Sequence, residues 1–89
     1  MSNGTTKPIR LSGHAQGYVA RRGFTENEVR EAIRNGTWRP AQHGRQETSR
    51  DFAYNADWNG THYATKRVHP VFVEEATEIV VVTVYTYFF

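Results

Sequence analysis

The final eleven residues, 79–89, read I-V-V-V-T-V-Y-T-Y-F-F, with every position β-branched or aromatic and no charge, glycine or proline. Such residues favour a pleated, half-buried surface, so the run predicts a strand. It is too short and too rich in hydroxyls to span a membrane as a helix. An edge this apolar would aggregate if left open, so the strand is expected to pair within a sheet. Alternation divides it into two stripes. Val80, Val82, Val84 and Phe88 suit packing beneath helices, and Thr83, Tyr85 and Tyr87 suit the lining of a cleft.

The N-terminal third carries the helical period. Ser12 caps a helix that runs to about residue 22, with Leu11, Ala15, Val19 and Arg22 at helical spacing and His14, Tyr18 and Arg21 on a neighbouring stripe. Gly23 supplies the left-handed residue that ends it. A second helix opens on the capping box Thr25/Glu28, flanked by Phe24 and Val29 as a hydrophobic staple, and continues through Val29, Ala32 and Ile33 to Asn35-Gly36. The pattern therefore predicts a helical hairpin with a tight R-G-F-T turn. Residues 38–44 form a connector, 45–54 a first strand, 55–60 a turn, and 61 to about 74 a long second strand kinked at Pro70. After a turn at 75–78 comes the terminal strand. The expected fold is α+β: an N-terminal helical hairpin packed on a three- to four-stranded antiparallel β-meander. Residues 1–8 read as a flexible tail and 9–89 as a single domain.

Eighty-nine residues suffice for one small domain with a modest core. The absence of cysteine removes disulfide and thiolate chemistry. The N-terminus lacks the apolar run of a signal peptide, so the reading is a cytoplasmic protein without a membrane partner. Net charge is only +2, but the cations are nine arginines and two lysines, and arginine presents a planar fork suited to phosphate. The histidines His14, His43, His62 and His69 form no helical H-x-x-x-H pair, and His62 and His69 are separated by an odd number of residues, so neither a metal site nor a cofactor is expected.

The remaining candidate chemistry is metal-free handling of phosphate. Cleavage of RNA through its 2′-hydroxyl needs a base, an acid and cations around the developing phosphorane. His14, Lys66 and Tyr85 are the candidate catalytic residues; Arg21, Arg22, Arg50, Arg67 and Thr83 are the candidate substrate-binding residues, with Tyr18 and His69 nearby in the pattern. Pairing Glu75 with Glu78 across a two-residue turn would place Lys66 on the Thr83/Tyr85/Tyr87 face, and a slip of one residue reverses that placement. Each residue also has a plain structural use: Arg22 can cap helix carbonyls, Lys66 and Arg67 can be a solvated pair, and Trp38 and Trp58 can be packing lids.

The segments S-G-H-A at Ser12–Ala15, R-G-F-T-x-x-E-V at Arg22–Val29, A-I at Ala32–Ile33 and V-V-V-T-V-Y at Val80–Tyr85 resemble the small bacterial domain-of-unknown-function family 4258. Y-A-T-K at Tyr63–Lys66 and F-V-E-E at Phe72–Glu75 look like one of its subgroups. That family is similar to RelE-like toxins, within a RelE/barnase-like type of ribonuclease fold. The resemblance implies a toxin-type, metal-independent ribonuclease paired with a small antitoxin. It carries the family's helix-one histidine onto His14, its Arg-Gly onto Arg22, its strand lysine onto Lys66 and its T-V-Y onto Thr83 and Tyr85. The alternative is a binding module for nucleic acid or protein that keeps the fold without the chemistry, suggested by the weak net charge. A third reading is a structural protein whose exposed strand pairs with a partner or another copy.

Overall fold

The computed structural model describes residues 6–89. Its elements in chain order are β1 (Ile9–Leu11), α1 (Gly13–Gln16), α2 (Val19–Arg22), α3 (Glu26–Asn35), β2 (Arg39–Pro40), a 3-10 turn (Gln42–Gly44), β3 (Gln46–Glu47), β4 (Arg50–Trp58), β5 (Thr61–Glu74) and β6 (Ile79–Phe88). Among the described residues the six strands form one mixed sheet ordered β1-β6-β5-β3-β2, with β4 also paired to β5. The fold is therefore mostly β with three short helices, and the expected helical hairpin on an antiparallel meander is corrected.

Three physical causes account for the difference. First, Ile9, Arg10 and Leu11 pair in parallel with Ile79, Val80 and Val81, burying Ile9 and Leu11. A three-residue strand is too short to announce itself by period. The backbone just before it is also held: Ile79 N–H donates to Pro8 O (2.9 Å), and Lys7 Nζ meets Glu74 Oε2 at 3.1 Å. Residues 1–5 of the expected tail lie outside the described residues.

Second, the first helix breaks. Ser12 caps α1 as expected, its hydroxyl accepting from Ala15 N–H at 3.1 Å. The helix then stops at Gly17, a poor helix residue. Tyr18 N–H turns to the nearer Ala15 O instead of continuing the α pattern. A second turn, α2, ends at Gly23 in the left-handed region (φ 71°). Its missing side chain also makes room for Trp58, since a Cβ there would lie 2.7 Å from the indole ring. The Thr25/Glu28 capping box is formed in both directions, and α3 buries Val29, Ala32 and Ile33.

Third, the strand expected over 45–54 is split and lengthened. β3 and β4 both pair with β5, and the gap falls opposite Pro70. Thr48 N–H donates to Pro70 O (3.2 Å), but proline has no N–H to return a bond. β4 then runs on through the residues expected to form a turn, absorbing a register shift between Ala53 and Ala56 where Asn55 has φ 48°. The turn itself narrows to Asn59-Gly60, both at positive φ (51° and 85°), the geometry that joins twisted hairpin strands.

The helices occupy different parts of the sheet. α3 packs on β5, while α1 lies against β1 and β6. The core gathers Ile9, Leu11, Phe24, Val29 and Ile33 with Val68, Phe72, Ile79, Val81 and Val84. Both tryptophans pack: Trp38 meets Phe72 edge-on at 4.8 Å and donates to Ile33 O, and Trp58 stacks on Phe88 at 4.9 Å.

The β5–β6 register positions the site. Ile79, Val80 and Val81 pair with Glu74, Val73 and Phe72, and then Val82 is an extra residue before Thr83 resumes opposite Val71. This β-bulge reverses the parity of everything beyond it. Lys66 falls opposite Phe88, whereas an uninterrupted ladder from the same turn would set it opposite Tyr87. The expected core stripe of β6 changes accordingly: Ile79, Val81 and Val84 are buried, and Tyr85 and Tyr87 are exposed.

Candidate functional site

The site is built where β6 runs beyond the end of β1. Past Val81 its outer edge has no strand neighbour among the described residues, and α1 and α2 cover part of it. Ser12 N–H donates to Val81 O (2.9 Å), and Arg22 Nη1 donates to Val84 O (2.8 Å). A side-chain guanidinium thus satisfies an edge carbonyl that a strand would otherwise claim. The same nitrogen lies 3.4 Å from Thr83 Oγ1, a long contact.

Arg22 sits between two tyrosines. Its guanidinium carbon is 3.9 Å from the centroid of Tyr18 and 5.3 Å from that of Tyr85. Arg21 approaches Tyr18 from further out, at 5.3 Å. His14 meets Tyr18 edge-to-face with centroids 4.9 Å apart, so the stripe expected from helical spacing forms despite the break after α1. On β5, His69 meets Tyr85 edge-to-face at 6.1 Å, and His69 Nε2 lies 2.8 Å from Glu47 Oε1. An ionised carboxylate only accepts, so the ring nitrogen is the donor in this contact.

Two adjoining depressions of about 510 and 470 Å³ share Arg45, Thr83 and Tyr85. One reaches past His43 and Glu47 on the β2–β3 side, and the other reaches Ser12, His14, Arg22 and the bulged Val82. Together they form one open groove with arginines on both sides, tyrosine and threonine between them, and a histidine near each end. Side chains of this kind can take a phosphodiester: forked cations hold its oxygens, and imidazoles exchange protons near neutral pH.

Of the residues expected to act, His14, Arg22, Thr83 and Tyr85 converge here, and Arg21 lies on the outer side of Tyr18. Arg67 shares the Tyr87 end of the same sheet face and grips Asp51 with two hydrogen bonds of 2.7 and 3.1 Å. Those bonds hold the Asp51 carboxyl below its ordinary range and raise Arg67 further above its own.

Lys66 and Arg50 are elsewhere. Lys66 is buried on the α3 side, its ammonium 2.8 Å from Glu28 Oε2 and donating to Gly23 O at 3.0 Å. Arg50 lies opposite Val68, on the face of Lys66, and is directed over Phe52. The expected meeting of Lys66 with Tyr85 does not occur, because the Val82 bulge moves Tyr85 to the open face while Lys66 stays on the buried face of β5 with Val68 and Phe72.

Arg45 and Glu47 were not expected in the site. Their spacing of two on a strand puts both on one face, and that alternation was the available signal. Among the described residues, no three or more His, Cys, Asp or Glu side chains stand together to hold a metal ion, and no helix is long and apolar enough to cross a membrane. No protein-family model, curated protein or solved structure matches the chain.

Proposed function

We propose that the groove binds RNA and cleaves it without a metal, in the manner of a toxin-type ribonuclease. The observation that carries this reading is the meeting of His14, Arg22, Thr83 and Tyr85 in one groove, with the Glu47-held His69 against Tyr85. In the reaction the RNA 2′-oxygen gives its proton to a base and bonds to phosphorus. The bond from phosphorus to the 5′-oxygen breaks, and an acid protonates the departing oxygen. The products are a 2′,3′-cyclic phosphate and a 5′-hydroxyl. His14 and His69 are the proton carriers, Arg22 and Arg45 hold the phosphate oxygens, and Tyr85 orients the attacked group. The order of residues resembles domain-of-unknown-function family 4258, a family similar to RelE-like toxins, and that resemblance supports the same chemistry.

The test is incubation of purified protein with single-stranded RNA and analysis of the ends formed. His14→Ala and Arg22→Ala should each slow cleavage by roughly 10²–10⁴-fold. Undiminished cleavage by His14→Ala would remove that residue from the mechanism. Products ending in a 3′-hydroxyl would remove the mechanism itself. The toxin setting adds growth arrest on expression, relieved by a small partner protein. Arrest that persists in the doubly substituted His14/Arg22 variant would refute this part.

A second reading has its own observation. Arg22 is already engaged by Val84 O and the face of Tyr18, an arrangement that suits a face binding RNA without cutting it. Binding with no cleavage products, at salt concentrations where RNA is retained, would favour it.

A further inference from the structure

Beyond the bulge, the open face of β6 carries three large exposed rings at a spacing of two: Tyr85 (44% exposed), Tyr87 (50%) and Phe89 (54%). Among the described residues, these are the large apolar side chains left exposed, and they stand in one row. The row is pinned. Phe89 N–H donates to Thr65 O (3.0 Å) and Phe89 O accepts from Thr65 N–H (2.8 Å), so even the last ring is held by the ladder. Cations lie beside the row: Arg22 is 5.3 Å from the Tyr85 centroid, and Arg67, opposite Tyr87 in the ladder, is 5.1 Å from that of Phe89.

We infer that this row is a stacking track for unpaired RNA bases, one base entering between Tyr85 and Tyr87 and one between Tyr87 and Phe89. The inference rests on the RNA reading of the adjoining groove. Side chains at i and i+2 on a strand stand about 6.4–6.8 Å apart. That gap is twice the roughly 3.4 Å separation of stacked bases, so each gap takes a single flat base sandwiched by two rings. A duplex cannot enter, since its bases are already stacked on one another and faced by their partners. The flanking charge favours a polyanion over an apolar protein surface. Arg67 is only half buried in its pair with Asp51, and a pair so exposed is weak enough for a phosphate to compete with. Stacking on rings is tolerant of base identity, so the track selects single strands by shape and holds the chain across the groove rather than reading its sequence.

The experiment uses a fluorescent ten-nucleotide 2′-O-methyl RNA, which lacks the hydroxyl that cleavage requires, offered as a single strand and as a duplex. The full chain should prefer the single strand. Tyr87→Ala and Phe89→Ala should each weaken single-strand binding by roughly 5- to 150-fold, the value of one stacked base. Tyr87→Phe should bind as the unaltered protein does. A fluorescent base analogue in the strand should be quenched on binding to the unaltered protein and not to Tyr87→Ala, whereas the salt dependence, which counts phosphate contacts, should stay the same. Equal binding of single strand and duplex, or unchanged affinity in Tyr87→Ala, would overturn the track. So would a stable dimer of the free protein that Tyr87→Ala dissociates, because the row would then be a contact between copies. Ring-dependent binding with natural RNA left uncut would sink the cleavage reading and leave the track standing. Cleavage by Tyr87→Ala at unchanged KM would do the reverse, and no binding at low salt would end both.

Discussion

The placement of Lys66 makes a quantitative prediction. Its ammonium is 2.8 Å from Glu28 and 3.0 Å from the Gly23 carbonyl, with side-chain exposures of 8% for Lys66 and 19% for Glu28. Lys66→Ala removes the cation and leaves a carboxylate and a carbonyl short of a donor in a largely buried place. Breaking a buried pair from one side costs about 3–5 kcal/mol. Here Glu28 keeps some access to water and still accepts from Thr25 N–H, so the expected loss is smaller, about 2–4 kcal/mol. The double variant Lys66→Met/Glu28→Gln keeps the volume of both stems, and glutamine preserves the capping box. It should be markedly more stable than Lys66→Ala. A double-mutant cycle built on Lys66→Met and Glu28→Gln should give a coupling of about 1–3 kcal/mol. Urea unfolding monitored by tryptophan fluorescence measures all of these, with Trp58 beside Gly23 as a local reporter. RNA cleavage by Lys66→Met, measured well below its midpoint, should be unchanged, since the side chain lies on the α3 side of the sheet. Stability within about 0.5 kcal/mol of the parent, the range of an ordinary surface change, would refute the structural role. Loss of cleavage at full stability would put Lys66 back among the reacting groups.

Gly23→Ala forces a side chain into the left-handed region and against the Trp58 ring, and should cost about 1–3 kcal/mol in thermal or urea unfolding; a neutral result would mean the αα turn can re-form with ordinary φ. Asp51 is held low by hydrogen bonding to Arg67, so its contribution to stability is present above the ordinary aspartate value and is lost as pH falls through the lowered one. Carboxyl NMR should show Asp51 titrating below the ordinary range, and Arg67→Gln should return it upward; no movement in that variant would refute the cause. Glu78, bonded to Arg10, should behave in the same way, and Arg10→Gln is the matching test. Arg22→Lys should not rescue the Arg22→Ala defect, because an ammonium reaching Val84 O cannot also lie flat on Tyr18; full RNA cleavage in the lysine variant would show that only the charge matters.

The features legible in the sequence were those decided within a few residues. The Ser12 cap, the Thr25/Glu28 capping box and the Gly23 stop are local hydrogen-bonding and φ requirements, and the structure meets each of them, whereas of the turn expected over 55–60 only its Asn59-Gly60 end forms. The span of β6 followed from its β-branched and aromatic run, and that of β5 from the turn residues on either side of it. The stripe of His14, Tyr18 and Arg21 followed from helical spacing, and it survives because Tyr18 still falls beneath His14 after the Gly17 break. The features that were not legible depend on partners far along the chain. Ile9–Leu11 is a strand because β6 lies beside it. The division of β3 from β4 depends on Pro70, more than twenty residues downstream of Thr48. Glu47 reaches the site only because β3 pairs with the stretch of β5 beside His69.

The bulge at Val82 belongs to this second kind, and it decides more than any other single residue. A strand whose every position is β-branched or aromatic has no local mark for where a ladder will slip, because either parity presents an apolar stripe. The cause lies outside β6. Ser12 N–H takes Val81 O, and the α1 cap it begins sits beside Val82, so the chain entering α1 fixes the edge where the extra residue is absorbed. One inserted position then has two consequences. It carries Val84 into the core and sets Phe88, in place of Tyr87, opposite the inward-facing Lys66. It also lifts Tyr85 and Tyr87 to the open face, within reach of Arg22 and His69. The separation of Tyr85 from Lys66 and the formation of the aromatic row are therefore one structural event. Arg45 in the groove and the His69–Glu47 pair beside Tyr85 hold the cation and the imidazole that the proposed cleavage asks for, on the face that an inward-facing lysine cannot reach.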